Sequence, residues 1–299
     1  MSSVLNYIEK NPQETQRLVG LKYEQLKQLI KQAIALHTDK QQEIEAQKVR
    51  IINKGGGRKV KLSTKEQILL TLIYLRHLTT FQLLGIQFGV SESTANDTFN
   101  YWLPVLQELL PSSLLEQVKK KASDYEIVQE ILTNYELIVD SAEQPRERPK
   151  EYKEQKKYYS GKKKRHTFKN QITVLPSGQD IVDVIAGQPG PKSDITLFRQ
   201  GQKDFDTNQK FQGDKAYVGE PSIKTPRKKP NKKELTMSEK EKNKKLASDR
   251  IFVEHLIRII KIFRVASERF RLNIRKYEQI IMTICGLVRF RIVTLVLQR

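Results

Sequence analysis

"HTFKNQITVLPSGQDIVDVIAGQPG" (166–190) is the stretch that decides the fold. Polar and apolar residues alternate through 166–176, as they do in a strand with one face buried. "SG" at 177–178 is a turn, and "QDIVDVIAGQPG" (179–190) runs back as the second arm of a hairpin. Upstream, "YELIVDSA" (135–142) is a short apolar run carrying Asp140 at its end, which reads as a buried strand with a carboxylate at its tip. Downstream, "SDITLFRQ" (193–200) begins a helix capped by Ser193 or Asp194. "QKFQGDKAYVG" (209–219) is the next strand and its turn, with Asp214 just past the strand, and "SIKTPRKKP" (222–230) reads as a last short strand. Residues 231–245 are rich in lysine and glutamate and read as a solvated loop or helix edge. A strongly periodic helix is expected from Leu246. Strand, hairpin, helix, strand and helix in this order imply a mixed α/β layer fold.

The residues before this region are helical. "ETQRLVGLKYEQLKQLIKQAIALH" spaces Leu18, Leu21, Leu26 and Ile30 as a helix does. "NKGGGRKVKLS" (53–63) then breaks the pattern and reads as a flexible basic arm carrying Arg58, Lys59 and Lys61. It lacks the Gly-Lys-Ser/Thr ending of a phosphate-binding loop. Ser63 and Glu66 form a capping-box pattern at the start of the next helix. A short helix over about 79–88 then ends at Gly89. Ser91 caps a second helix over about 92–103, and Pro104 is expected to interrupt that helix or bend the chain beyond it. Two short helices joined by a glycine turn form a helix-turn-helix pattern. Its second helix places Ser93, Thr94 and Asn96 where base edges or phosphates would lie. A helical hairpin without DNA contact is the competing reading. The expected division is a helical region over 1–125, with the helix-turn-helix at about 63–110, and an α/β region over 126–299.

Charge points to a polyanion. The chain of 299 residues has 54 Lys and Arg against 34 Asp and Glu, a formal net charge of +20. Nucleic acid is the simplest partner for such an excess, because each phosphate contact releases counterions. Cys285 is the only cysteine, which rules out an internal disulfide and favours a reducing compartment. It sits in "IIMTICGLV", where a buried, inert thiol is expected. His37, His77, His166 and His255 are scattered and form no zinc spacing. No signal peptide is legible, and Arg289 and Arg291 interrupt the longest apolar stretch, so no membrane span is expected. "KEYKEQKKYYSGKKKRH" (150–166), with Lys162, Lys163, Lys164 and Arg165, interleaves cations with tyrosines. It reads either as a DNA backbone track or as a solvated loop, and "KTPRKKPNKK" (224–233) reads the same way.

Asp140, Asp214 and Glu254 stand out as a potential cluster. If a three-strand meander is followed by a crossover, the strands preceding Asp140 and Asp214 become neighbours, and the late helix can bring Glu254 across their ends. Oxygen ligands of this kind suit hard divalent cations such as Mg²⁺ or Mn²⁺. A pair of such ions would clamp the attacking and leaving oxygens of a phosphodiester. Asp194 is the other candidate for the second carboxylate, although its position also suits a helix cap.

The ordered segments "IVDSAEQPRERP", "YYSGKKKRHTFKNQITV", "GQPGPKSDITLFR", "GDKAYVG" and "RIFVEHLIRIIKIF" resemble the DDE (Asp-Asp-Glu) transposases of bacterial insertion sequences, in particular the group related to Harbinger-type transposases. The resemblance runs from about 130 to 275, with the helix-turn-helix in the expected place ahead of it. It implies an RNase H-like fold and metal-dependent DNA cleavage and strand transfer. It also implies double-stranded DNA as partner, both element ends and target, a homo-oligomer on DNA, and a cytoplasmic, nucleoid-associated location in a bacterium. Carried over by position, Asp140, Asp214 and Glu254 match the catalytic triad, and Arg250 and Lys261 match basic residues flanking the glutamate. The pattern differs in three places: Asp140-Ser141-Ala142 stands for Asp-Gly-Thr, Ser193-Asp194 for His-Asp, and Ala247 for a tyrosine. Two other readings stay open, a catalytically silent DNA-binding relative and a metal-dependent nuclease that cuts without joining.

Overall fold

Ser63 starts its helix as its sequence suggests. Its backbone and hydroxyl both donate to the Glu66 carboxylate, at 2.8 and 2.7 Å, while its side chain accepts from the Glu66 backbone. The computed structural model describes residues 3–47, 60–120, 125–229 and 234–292. The chain separates into two compact units. One holds the residues up to Leu110 together with Phe263–Val265, and the other holds Pro111–Ile262 and the residues from Ala266 onward.

The first unit is helical, with α1 (Ser3–Lys10), α2 (Thr15–Val19), α3 (Tyr23–Gln47), α4 (Thr64–His77), α5 (Phe81–Phe88) and α6 (Glu92–Leu109). Tyr74 of α4 stacks on Phe81 of α5 and tilts against Phe99 of α6, with ring centres 4.5 Å apart in both pairs. Trp102 is fully buried and donates its indole N–H to Gln67 at 2.8 Å, so the polar end of the large ring has a partner. The turn between α5 and α6 is the glycine turn expected from the sequence. Gly89 takes φ 68° and caps α5, and the Ser91 hydroxyl accepts from the Thr94 backbone at 3.2 Å to open α6. Pro104 does not end the second helix, as the sequence suggested, and α6 continues to Leu109. Pro104 lies on the exposed face, while Phe99, Trp102, Leu103 and Leu106 are buried on both sides of it. Their packing offsets the missing backbone donor.

The second unit is α/β. Its helices are α7 (Leu114–Lys120), α8 (Tyr125–Asn134), α9 (Tyr152–Tyr158), α10 (Asp194–Gly201), α11 (Met237–Lys261) and α12 (Tyr277–Ile292). Its strands are β1 (Leu137–Pro145), β2 (Tyr159–Ser160), β3 (Arg165–Val174), β4 (Ile181–Pro189), β5 (Phe211–Gln212) and β6 (Ile223–Lys224). β1, β3 and β4 form an antiparallel meander, with β3 central, and β5 then joins the other side of β1 in parallel and is followed by β6. This meander with a parallel crossover, flanked by helices, is the RNase H-like arrangement. The short β2 pairs with the first residues of β3.

Side chains alternate across β1. Leu137 and Val139 point to one face, where they join Leu114, Leu115, Val118, Val128 and Leu132 of α7 and α8, together with Phe198 of α10. This burial explains why the division falls at Leu110–Pro111 and not at 125: α7 and α8 cover the sheet and belong to its core. α11 and α12 pack against β1, β3 and β4. Two element boundaries also differ from the sequence reading. α11 starts at Met237, well before Leu246, because Thr236 and Glu239 form a second capping box. The basic stretch 150–166 contains a helix, α9, which its tyrosine-rich composition did not announce.

The unit is tied internally by a buried ion pair. Arg289, in the apolar α12, donates to both oxygens of Asp180, at 2.6 and 2.8 Å, and to the carbonyls of Pro111 and Ser113. The sequence showed Arg289 only as a charge breaking an apolar run. Its carboxylate partner is brought to it by the fold. Cys285 is fully buried beside it, and burial pushes its thiol up to about 12, so it is inert as expected.

Candidate active site

Asp140 is not at the tip of its strand, since β1 runs on to Pro145. It nevertheless marks an edge. The last pairing of β1 with β5 is Ile138 with Gln212, so Asp140 lies just beyond the point where β5 stops. Beyond Gln212 the Gly213 N–H still bonds to the Lys224 carbonyl at 3.0 Å, and Asp214 follows as the cap of a one-turn helix, Lys215–Tyr217. One Asp214 carboxylate oxygen accepts from the Ala216 backbone at 2.7 Å.

Strand alternation sends Asp140 to the opposite face from Leu137 and Val139. There it meets α11, with Arg250 Nη2 3.8 Å from its Oδ2. The same guanidinium nitrogen lies 3.5 Å from Glu254, one turn further along α11. Burial pushes the Asp140 carboxyl up to about 6. The Ser141 backbone N–H and Arg250 oppose that rise, while the negative charges of Asp214 and Glu254 add to it. The charges of Asp214 and Glu254 thus reach the buried Asp140 carboxyl, although Asp214 is half-buried and Glu254 is exposed. Arg250 supplies one positive charge against three negative ones, and its Nε is buried without a hydrogen-bond partner.

Asp194 is differently placed. It is the first residue of α10, and its carboxylate lies 3.0 Å from Lys169 of β3. That contact is an ion pair without hydrogen-bond alignment, because the Asp194 oxygen accepts no hydrogen bond. Lys169 is itself buried and donates to the Lys192 carbonyl, so the lysine is fixed and Asp194 is neutralised in place. Ser193 caps α10 through the Thr196 backbone at 3.1 Å.

The expected DNA-contacting residues fall in several places. Lys61, Ser93 and Thr94 are exposed and Asn96 is half-buried, all in the first unit. The hydroxyls of Ser93 and Thr94 turn inward to Ser91, at 3.0 and 2.8 Å, and Asn96 accepts from Asn100, so base contact would require these side chains to turn out. Arg58 and Lys59 lie outside the described residues. In the second unit, Lys162, Lys163, Lys164 and Arg165 form the exposed turn between β2 and β3, and among the described residues none of them has an acidic partner. The second basic run is different. Lys224 pairs with Glu136 at 2.8 Å, Arg227 with Glu239 at 2.5 Å, and Lys229 with Glu234, so its described cations are largely balanced within the protein. Lys232 and Lys233 lie outside the described residues. Arg250 faces the carboxylates, while Lys261 is exposed at the end of α11.

A network that the sequence reading missed lies behind the aspartates. Tyr217 is buried, and its hydroxyl is 3.0 Å from Gln171 Nε2 and 3.1 Å from the Ser141 hydroxyl. The sequence does hold one signal for it. Gly213 stands four residues before the tyrosine, and a Cβ there would come within 2.7 Å of the Tyr217 ring.

Residues 139–289 match the family model described as DDE superfamily endonuclease, and residues 60–112 match the helix-turn-helix of DDE superfamily endonuclease. The chain belongs to the DDE endonuclease superfamily. It is 32% identical over 243 residues to the probable transposase for insertion sequence element IS702 of Microchaete diplosiphon, a match covering 80% of this chain and 84% of that one. Among solved structures it is similar to a piggyBac transposase synaptic complex with hairpin DNA, with TM-score 0.41 and 10% identity over 89% of this chain and 72% of that chain. It is also similar to the Mos1 transposase paired-end complex with left transposon end, with TM-score 0.22 and 11% identity over 83% of each chain.

Membership carries divalent-metal-dependent DNA cleavage, and the residues can be tested against it. Among the described residues no group of three His, Cys, Asp or Glu side chains stands at ligating distances as arranged. The donor set nevertheless fits a hard cation. It is all oxygen, it sets three carboxylates against the one Arg250 guanidinium, and burial, the main cause of the raised Asp140 carboxyl, disfavours a negative charge there that a cation would offset. No helix among the described residues is long and apolar enough to cross a membrane.

Proposed function

We propose that this chain is the transposase of a bacterial insertion sequence and that Asp140, Asp214 and Glu254 are its catalytic carboxylates. The observation that carries the assignment is geometric: Arg250 stands 3.8 Å from Asp140 and 3.5 Å from Glu254, beside the point where the pairing of β1 with β5 ends and Asp214 follows, whereas Asp194 is already paired with Lys169 at 3.0 Å. Asp140 and Asp214 would hold one or two Mg²⁺ or Mn²⁺ ions between two adjacent strands, with Glu254 completing the set from α11. The metal supplies Lewis-acid activation of water and charge neutralisation at the phosphodiester. Glu254 is 57% exposed and has the freedom to swing toward Asp140. Arg250, held near both carboxylates, is placed to take a phosphate oxygen when DNA arrives. Cleavage would free a 3′-hydroxyl, which then attacks target DNA, so the chain itself needs no nucleophile.

The relative's description as a probable transposase for an insertion sequence element supports element ends and target DNA as substrates. We place Ser93, Thr94 and Asn96 at base edges, and Lys61 and Lys162–Arg165 on the phosphate backbone. Arg58 and Lys59 in the arm, and Lys261 beyond the site, extend that backbone contact. Synapsis of two ends implies a homo-oligomer on DNA, acting at the nucleoid of a bacterial cell.

The test is nicking of element-end DNA in Mn²⁺. Asp140→Asn, Asp214→Asn and Glu254→Gln should each lower the rate on the order of 10³-fold, about 4 kcal/mol of transition-state stabilisation, with DNA affinity kept. Asp194→Asn should retain most activity. If Asp194→Asn abolishes nicking while Asp214→Asn does not, the second carboxylate is Asp194. If wild type neither nicks nor joins ends, the chain is a DNA-binding relative. If it nicks but fails to join pre-cut ends, it is a nuclease only.

A further inference from the structure

We propose that Tyr217, acting through Ser141 and Gln171, is a positioning residue that locks the Asp214 turn to the Asp140 strand and so sets the spacing of the two aspartates. The inference rests on the reading of Asp140 and Asp214 as metal ligands.

The geometry starts with strand alternation. Asp140 faces α11, so its neighbour Ser141 must face the other way, toward α10 and the core that contains Tyr217. Ser141 is paired in register with Gln171 of β3, so their side chains share that face. Gln171 Nε2 lies 3.3 Å from the Ser141 hydroxyl, 3.0 Å from the Tyr217 hydroxyl and 3.0 Å from the Asp194 carbonyl. One side-chain cluster thus ties β1, β3, the start of α10 and the turn after β5. Ser141 also donates its backbone N–H to Asp140 at 2.8 Å, which links the cluster directly to the first carboxylate.

The link to the second carboxylate is the turn itself. Asp214 and Tyr217 open and close the same one-turn helix, and the Tyr217 backbone donates to the Asp214 carbonyl at 3.2 Å. The Tyr217 ring folds back against Gly213, where any Cβ would come within 2.7 Å of it and 3.1 Å of the Ile223 side chain. β5 offers only two residues of ladder to β1, which is weak support for a turn that must hold a ligand. The buried hydroxyl supplies the missing constraint. A hydrogen-bonded phenol between two strands fixes position in a way that a ring alone does not.

The test compares wild type, Tyr217→Phe, Ser141→Ala and Asp214→Asn by calorimetric Mn²⁺ titration, with thermal unfolding in chelator and DNA affinity measured alongside. Tyr217→Phe keeps the ring that fills the core and should fold and bind DNA as wild type does. Its Mn²⁺ Kd should rise about 10-fold, the range seen when outer-shell partners of metal ligands are removed. Nicking should recover at high Mn²⁺. Ser141→Ala should move the Kd in the same direction by a smaller factor, and it carries the test alone if Tyr217→Phe does not fold. Lower unfolding temperatures with Mn²⁺ Kd values within about twofold of wild type would overturn the inference, since that is the mark of a purely structural hydrogen bond. Asp214→Asn separates the two levels. If it binds Mn²⁺ as wild type does, the ligand assignment fails and the inference with it. If it loses Mn²⁺ while Tyr217→Phe and Ser141→Ala do not, only the positioning role fails.

Discussion

Asp183 on β4 shows how a single carboxylate can work against the fold. Burial raises it to about 6, the nearby Asp204 charge acts in the same direction, and Lys119 opposes both. Lys119 spends part of its charge on Asp204, 3.3 Å away. The folded value lies above the unfolded one, so the native state holds the proton more tightly. Stability therefore falls as pH rises from about 4 to about 6, and the penalty is complete above that window. Asp183→Asn should stabilise the protein by ~1–2 kcal/mol at pH 7.5 and have almost no effect near pH 3.5. Urea unfolding at the two pH values measures the difference. A loss of stability at pH 7.5 would mean that the carboxylate has a partner that outweighs its burial.

Among the elements, the α5–α6 pair depends on a close approach that only glycine permits. A Cβ on Gly85 would sit 2.7 Å from the Val90 carbonyl, and the Val90 N–H donates back to the Gly85 carbonyl at 2.9 Å. Gly85→Ala should therefore destabilise the helical unit by ~2 kcal/mol or more, although alanine is the better helix former. Thermal unfolding of the variant gives the answer, and unchanged stability would show that the turn can relax. The recognition role of α6 is read by a separate experiment. Replacing Ser93, Thr94 and Asn96 together by alanine should leave folding intact and reduce the preference for element ends over scrambled DNA by ~10-fold or more. Competition binding measures that ratio, and an unchanged ratio would leave the helix as scaffold.

For the whole molecule the governing quantity is its net charge of +20. Lys162, Lys163 and Lys164 in the turn before β3, and Arg165 at its start, have no acidic partner among the described residues, whereas Lys224, Arg227 and Lys229 are paired within the protein. Affinity for DNA should fall about 10³-fold between ~50 and ~200 mM salt if roughly six phosphates are contacted. Replacing Lys162, Lys163, Lys164 and Arg165 by alanine should flatten that slope, while the same change at Lys224, Arg227 and Lys229 should alter it less. Equal effects from the two sets would show that the internal ion pairs open on DNA.

Most of the elements and their order are legible in the amino-acid sequence, the exceptions being α9 and the early start of α11. The turn at 177–178, the caps at Ser63, Ser91 and Ser193, and the glycine turn at Gly89 are local signals, and each is present in the structure, whereas the alternation over 166–174 marked the strand but not its burial: Thr167, Lys169, Asn170, Gln171 and Thr173 are buried as well, because β3 is central and covered on both faces. The order of motifs also carried the family. Local signals were misread where packing overrides them. Helix α6 passes Pro104 because buried side chains hold both sides of it, Phe99 and Trp102 before and Val105 and Leu106 after, and α7 joins the sheet because its leucines share a core with Val139 and Val182. Which polar groups meet is settled by the packed fold. Lys169 reaches Asp194, Arg289 reaches Asp180, and Tyr217 reaches Ser141 and Gln171, across separations that no periodicity records. Hydrophobic patterning places strands and helices on faces, but a hydrogen bond or ion pair needs atoms within a few ångströms, and that precision comes from the packed core.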